Sequence, residues 1–420
     1  MGLAGCMDGS DKFSDTDGKN GTKDSSEVAV EGDTIHIGGS LSLTGDGSRL
    51  GNVYKHGYRI AVDEINKNGG VKAGDDETYE FSLILRYDQG PPSKSKEIYQ
   101  ELIYQEDIDF LVGPYTTPNS LPATGIAEKN QVPLVLGGAA TPKIFEQGNR
   151  WIFGVLPLAD QYSDVSVDFT LNRSPKPESA AVLAENGSFS KSMARDAKEK
   201  LRKSGIDVAV DEVFPKSTDD LSTQLAKVRD EDVDALILES HQKHSIILAR
   251  QLKTQKVDVD LAVAGVGAQD ESFLDAVGVD AEYIYAPSGW DKNGGYRDPL
   301  FGSTSGYIEA MEDRYGTEPD MHAAAATTVI EVYRKAVAET RKLTRGEIRD
   351  SIRGLKFENV FGKIRFDDKG VVEKEMFLNQ WQPKQQESGG SDDLSLKQVC
   401  LRKASRAKPV YPTPPWNDRL

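Results

Sequence analysis

Cysteine is almost missing. The 420 residues hold two, Cys6 and Cys400, too few for a disulfide framework or a cysteine-rich zinc site. Histidine is scarce as well, at five. No apolar run approaches the ~18–20 residues of a membrane-spanning helix. Positive charge is in deficit: 51 Lys and Arg stand against 67 Asp and Glu, a net charge of −16. Gripping phosphate needs a basic face, so nucleic acid is excluded as a partner. The excess acid is spread along the chain and reads as a solvated surface. Catalytic signatures are missing too. There is no G-x-S-x-G and no H-E-x-x-H. The segment GDGSRLG at 45–51 is one residue longer than the dinucleotide fingerprint, so no cofactor is expected. His241 and His244 lie three apart with no cysteine near, so no metal site is expected there.

What is present is alternation. The length suggests two or three domains. From residue 34, apolar β runs and amphipathic helical runs follow each other. TIHIGGSL reads as a strand, and the next helix puts Tyr54, Tyr58, Ala61, Val62 and Ile65 on one face. It stops at Asn68-Gly69-Gly70. A second β-α series runs from about 179 to 288. This order predicts parallel sheets with helices on both faces. After 290 three helices follow, the last opened by Thr344 and Glu347 as a capping box. Residues 359–381 read as a hairpin turning at Asp367–Gly370. Residues 384–393 read as a loop, and the proline-rich end as an extended segment. Asn20, Asn172 and Asn186 begin N-x-S/T sequons.

Two strand-to-helix junctions carry the functional signal. FLVGPYTTP at 110–118 and LVLGGAATP at 134–142 each end an apolar strand and open a helix. In doubly wound sheets, ligands bind at the carboxyl ends of strands. A helix N-terminus there offers free N–H groups and the positive end of its dipole, which suit an anion. Thr117 and Thr141 are placed as N-caps, with Pro118 and Pro142 at the first helical position. The small residues Gly137 to Ala140 let a ligand approach the backbone. The pair therefore points to a carboxylate or similar anion.

The order GGSLSLTGDGSRLG, AVDEINKNGGV, FLVGPYTT, IAEKNQVPLVLGGAAT, DDLSTQLAKVRDEDVDALIL and FGKIRFDDKG resembles the leucine/isoleucine/valine-binding proteins. These are the type I periplasmic-type receptors of branched-chain amino acid ABC transporters. The resemblance covers about 34 to 380. It implies two doubly wound α/β lobes joined by a three-stranded hinge, with 34–157 plus 289–358 as one lobe and 158–288 plus 359–420 as the other. It implies a ligand carboxylate held by Thr117 with Thr116 beside it, and by Ala139, Ala140 and Thr141. Leu50 and His241 match family positions that line the pocket. The family's acid for the ligand ammonium is missing: Val266 and Gly267 stand there. Glu239, at the end of a strand directed to the cleft mouth, and Gln269 or Asp270 are the substitutes. The expected role is capture of an amino acid, amide or carboxylate outside the cytoplasm and its delivery to an ABC permease. A ligand-sensing regulator of the same fold and an α/β enzyme acting on amides are the alternatives.

The first residues, MGLAGC, resemble the lipobox at which a lipoprotein cysteine is exposed and lipidated. The five residues before Cys6 are too few for a signal peptide's basic and apolar segments. Residues 7–33 are rich in Asp, Gly, Ser and Lys and are expected to form a disordered tether. Together they predict a lipid anchor at Cys6 as the chain's hold on the membrane.

Overall fold

The structure, a computed structural model, describes residues 30–383 apart from 31, 75 and 107, together with 396–400. The expectations for Cys6, the loop 384–393 and the proline-rich end lie outside the described residues. Of the segment 7–33 expected to be disordered, residues 7–29 and 31 lie outside the described residues, and the expectation fails for Val30 and Asp33. Val30 is buried in the core, and the Asp33 carbonyl accepts from the Glu80 N–H. An apolar side chain there gains more by burial than the acidic composition around it suggests.

The first sheet contains β1 (Thr34–Leu41), β2 (Val71–Lys72), β3 (Thr78–Tyr87), β4 (Phe110–Val112), β5 (Leu134–Leu136) and β6 (Ile152–Gly154). Their spatial order is β2-β3-β1-β4-β5-β6, parallel apart from β2. Between them run α1 (Ser48–Lys67), α2 (Pro92–Tyr104), α3 (Thr117–Lys129) and α4 (Pro142–Phe145). The predicted stripe of α1 is buried from Tyr54 to Ile65.

The second sheet contains β7 (Ser179–Glu185), β8 (Asp207–Phe214), β9 (Ala235–Glu239), β10 (Leu261–Val263) and β11 (Tyr285–Ser288). It is flanked by α5 (Ala159–Leu171), α6 (Ser188–Lys203), α7 (Ser222–Asp230), α8 (Gln242–Thr254) and α9 (Glu271–Val277). The chain then forms the ribbon β12 (Arg297–Asp298) with β13 (Gly302–Ser303), and α10 (Thr304–Tyr315), α11 (Met321–Glu339) and α12 (Arg345–Gly354). Helix α11 packs along α1, which returns this segment to the first lobe.

The late hairpin differs from the prediction. β14 (Lys356–Asn359) pairs with β15 (Gly362–Arg365), so the hairpin turns at Val360 and Phe361. Asp367–Gly370 is still a turn, closed by the Gly370 N–H on the Asp367 carbonyl, but only the pair Phe366 and Val372 bridges across it. The next strand, β16 (Phe377–Pro383), instead pairs antiparallel with β11, and β17 (Leu396–Cys400) adds beyond it. The second sheet thus reads β17-β16-β11-β10-β9-β7-β8. The chain crosses between the lobes three times, after β6, after β11 and before β16.

Candidate ligand-binding site

Each sheet has one point where the connections diverge to opposite sides. In the first it lies between β1 and β4, because the chain goes from β1 out to β3 and returns to β4. In the second it lies between β7 and β9. Such points leave a crevice at the carboxyl ends of the strands. The residues at these four strand ends therefore define the site to inspect.

On the first lobe, β4 runs into the GPYTT turn and β5 into GGAAT. The two turns touch. A Cβ on Gly138 would stand 2.9 Å from Tyr115 Cα, so only glycine allows this approach. Tyr54 donates its hydroxyl to the Gly137 carbonyl at 2.6 Å and Tyr58 to the Gly113 carbonyl at 3.1 Å. Both turns are thus pinned from α1. The N-cap of α3 is Thr116, not Thr117. Thr116 takes φ +81° and accepts from the Asn119 N–H, which moves Thr117 and Pro118 one position into the helix. Thr141 does cap α4, but its hydroxyl makes no capping bond. Thr117, Ala139, Ala140 and Thr141 are all buried. Leu50 is half-buried beside Arg49 at the start of α1.

On the second lobe, the switch point holds a residue that the sequence reading missed. Glu185 ends β7 and is buried. Its Oε2 accepts from the His241 N–H at 3.4 Å and faces Nδ1 of His241 at 3.2 Å and Nδ1 of His244 at 3.0 Å. Burial alone would raise this carboxyl; the hydrogen bonds from His241 and His244 outweigh it and hold Glu185 below the usual carboxylate range. Phe189 lies 5.7 Å from the His241 ring and 5.8 Å from Tyr162. The signal was available: SAAVLAE closes an apolar run, Ala180 to Ala184, with an acid.

The acids proposed from sequence separate. Glu239 is buried at the end of β9, where burial and Asp196 of α6 push its carboxyl up to about 8. Asp270 lies elsewhere, as the N-cap of α9, with Asp320 and Arg49 acting on it. Burial, then Asp320, pushes its carboxyl well up. Gln269 serves locally: its Oε1 accepts from the Gly267 N–H and its Nε2 donates to Asp270 Oδ1. Arg49 reaches from α1 to Asp320 Oδ2 at 3.4 Å and to Asp270 Oδ2 at 4.0 Å. Burial pushes the Tyr115 hydroxyl of the GPYTT turn up, with Arg49 acting against it and Asp320, Glu185 and Asp270 adding to it.

Residues 34–390 match the periplasmic binding protein family. The Leu/Ile/Val-binding protein BraC3 of Rhizobium johnstonii is 28% identical over 247 residues, 59% of this chain and 65% of that protein, so the match spans just under two thirds of that relative. The leucine-, isoleucine-, valine-, threonine-, and alanine-binding protein of Pseudomonas aeruginosa is 22% identical over 343 residues, 81% of this chain and 88% of that one. The branched-chain amino acid transporter substrate binding protein LivJ of Streptococcus pneumoniae, solved with isoleucine, superposes with a TM-score of 0.74 at 20% identity, covering 88% of this chain and 99% of that one. A solute binding protein of an ABC transporter from Rhodopseudomonas palustris BisB5, solved with 3,4-dihydroxy benzoic acid, gives 0.73 at 20% identity, covering 88% and 97%. At these identities the structural likeness establishes the fold.

Proposed function

The chain belongs to the periplasmic binding protein family, and on that premise we propose that it captures a small amino acid or related solute between its lobes and delivers it to an ABC permease. Relatives named for leucine, isoleucine and valine binding support this reading. So does the placement of the GPYTT and GGAAT turns on one lobe and Glu185 on the other, each at or beside its sheet's switch point, which is the observation that carries it. We take the lobes to part at the three crossings and to close on the solute by hinge motion. The role is binding and transport rather than turnover.

In this reading the solute carboxylate meets the GPYTT and GGAAT turns, with the Thr141 hydroxyl as a donor. The ammonium meets Glu185. A buried ammonium needs an ionised partner, and Glu185 is the acid held ionised, whereas burial pushes Asp270 and Glu239 toward the neutral form. Both histidines engage Oε2 of Glu185, which leaves Oε1 for the solute. Phe189 and Tyr162 add ring faces that favour a cation.

The test is calorimetry with leucine, its deaminated analogue and small amides. A hydrogen bond to a charged group contributes about 1.5–3 kcal/mol, so Thr141→Ala and Glu185→Gln should each weaken leucine by roughly ten- to a hundred-fold. Wild-type preference for the deaminated analogue would overturn the amino-acid assignment. Loss of leucine binding in Asp270→Asn but not in Glu185→Gln would move the ammonium to Asp270.

We place the protein outside the cytoplasm, anchored by lipid on Cys6. Among the described residues no helix is long and apolar enough to cross a membrane. In the native host Cys6→Ser should shift the protein from the membrane fraction to the soluble one. Retention of the variant at the membrane would remove the anchor from the proposal.

A further inference from the structure

Asp270 comes from one part of the chain and Asp320 with His322 from another, and the three meet at the cleft. Each offers one ligating atom, and the three atoms lie within 4.8 Å of one another. Asp270 caps α9 in the second lobe; Asp320 caps α11, and His322 lies in its first turn. Two atoms of the group are buried and lack a hydrogen-bond partner: Asp270 Oδ2 and His322 Nδ1. Asp270 is 6% exposed and His322 5%. Buried polar atoms left without partners are rare in folded proteins and call for an explanation. His322 Nδ1 faces Asp320 Oδ1 at 3.8 Å, beyond hydrogen-bond reach. That oxygen is already taken by the N–H groups of His322 and Ala323, at 2.9 and 3.0 Å. The ring of His322 is held edge-on to Tyr115, with centroids 5.9 Å apart, and packs near Tyr54.

Two carboxyl groups and an imidazole share one small volume, and a bound cation would favour the ionised form of both acids. Arg49 supplies part of the charge, but at 4.0 Å it makes no hydrogen bond to Asp270, and its side chain is 42% exposed. We propose that Asp270, Asp320 and His322 form a divalent-cation site, of the zinc or manganese class, that joins the two lobes when filled. One nitrogen and two oxygen donors suit such ions better than magnesium or calcium, which take all-oxygen shells. With bonds near 2.1 Å, tetrahedral ligand atoms stand about 3.4 Å apart. Filling the site ties α9 of one lobe to α11 of the other and so favours the closed cleft. This goes beyond the solute reading, in which Glu185 rather than Asp270 meets the ammonium and neither Asp320 nor His322 meets the solute.

The test titrates the chelator-stripped full chain, without solute, with ZnCl2, MnCl2 and MgCl2 separately, by calorimetry and thermal unfolding. The expected result is one equivalent of zinc or manganese, a raised Tm, a smaller radius of gyration by X-ray scattering, and no comparable response to magnesium. Asp270→Asn and His322→Gln should each weaken binding at least ten-fold. His322→Gln leaves both helix caps in place, so it reads the site even if the Asp270 variant folds poorly. No binding in wild type, or binding that survives His322→Gln, would overturn the proposal. Leucine binding is measured separately in excess chelator, so failure of the metal site leaves the solute reading untouched.

Discussion

At the residue scale, the two small-residue turns are legible in the sequence and the surroundings of each acid are not. Thr141 and its small neighbours announce themselves by type: two glycines, two alanines and a Thr-Pro have few other uses at a strand end. Acids are common on a chain of net charge −16, so type says little about which one faces the cleft. Environment decides that. Glu185 is held ionised by two histidines, whereas Glu239 is buried without such partners, with Oε1 unbonded. The sign of its pH dependence follows. The folded state holds Glu239 at about 8, above its ordinary value. Between the two values the folded state binds the extra proton, so stability falls as pH rises across that window. Each pH unit there removes about 1.4 kcal/mol, several kcal/mol in all. Glu239→Gln should therefore unfold at higher denaturant than wild type at pH 8. The gap between them should shrink as pH falls toward 5. A gap that stays constant from pH 5 to 8 would show that Glu239 does not titrate with folding.

At the element scale, periodicity located the strands and helices because burial has a period. Helix α1 shows this: the stripe from Tyr54 to Ile65 is the face that meets the core. What it meets was not readable. A Cβ on Gly57 would stand 2.5 Å from the Ala323 carbonyl, so only glycine fits this crossing of α1 and α11, across some 270 residues of sequence. The Thr327 hydroxyl donates to the Gly57 carbonyl at that crossing. Local pattern cannot report a partner so distant. The same limit explains the hairpin. Asp367–Gly370 has the chemistry of a turn and makes one, but strand pairing is settled by which sheet edge is open. For β16 that edge belongs to β11 in the other lobe. The capping box was half right for a related reason. Thr344 accepts from the Glu347 N–H, but Glu347 reaches back to the Lys342 N–H, where the chain bends into the helix.

At the scale of the whole molecule, the two sheets are joined by three crossings of the chain. In the proposed hinge motion, the cleft contacts determine how much closure costs. Arg49 is one charge that spans the cleft, from α1 to Asp270 and Asp320, and Lys292 is another, between Glu271 and Glu318. The exposure of Arg49 limits what it can contribute: an ion pair of this kind supplies about 0.2–1 kcal/mol. That is enough to bias an open–closed equilibrium and too little to hold a solute. Arg49→Ala should therefore weaken leucine by no more than about five-fold. Without solute, its radius of gyration in X-ray scattering should equal or exceed that of wild type, and saturating leucine should bring both proteins to the same compact value. A hundred-fold loss of affinity in Arg49→Ala would instead make the guanidinium a direct solute contact. A wild-type radius that leucine leaves unchanged would remove hinge closure from the account.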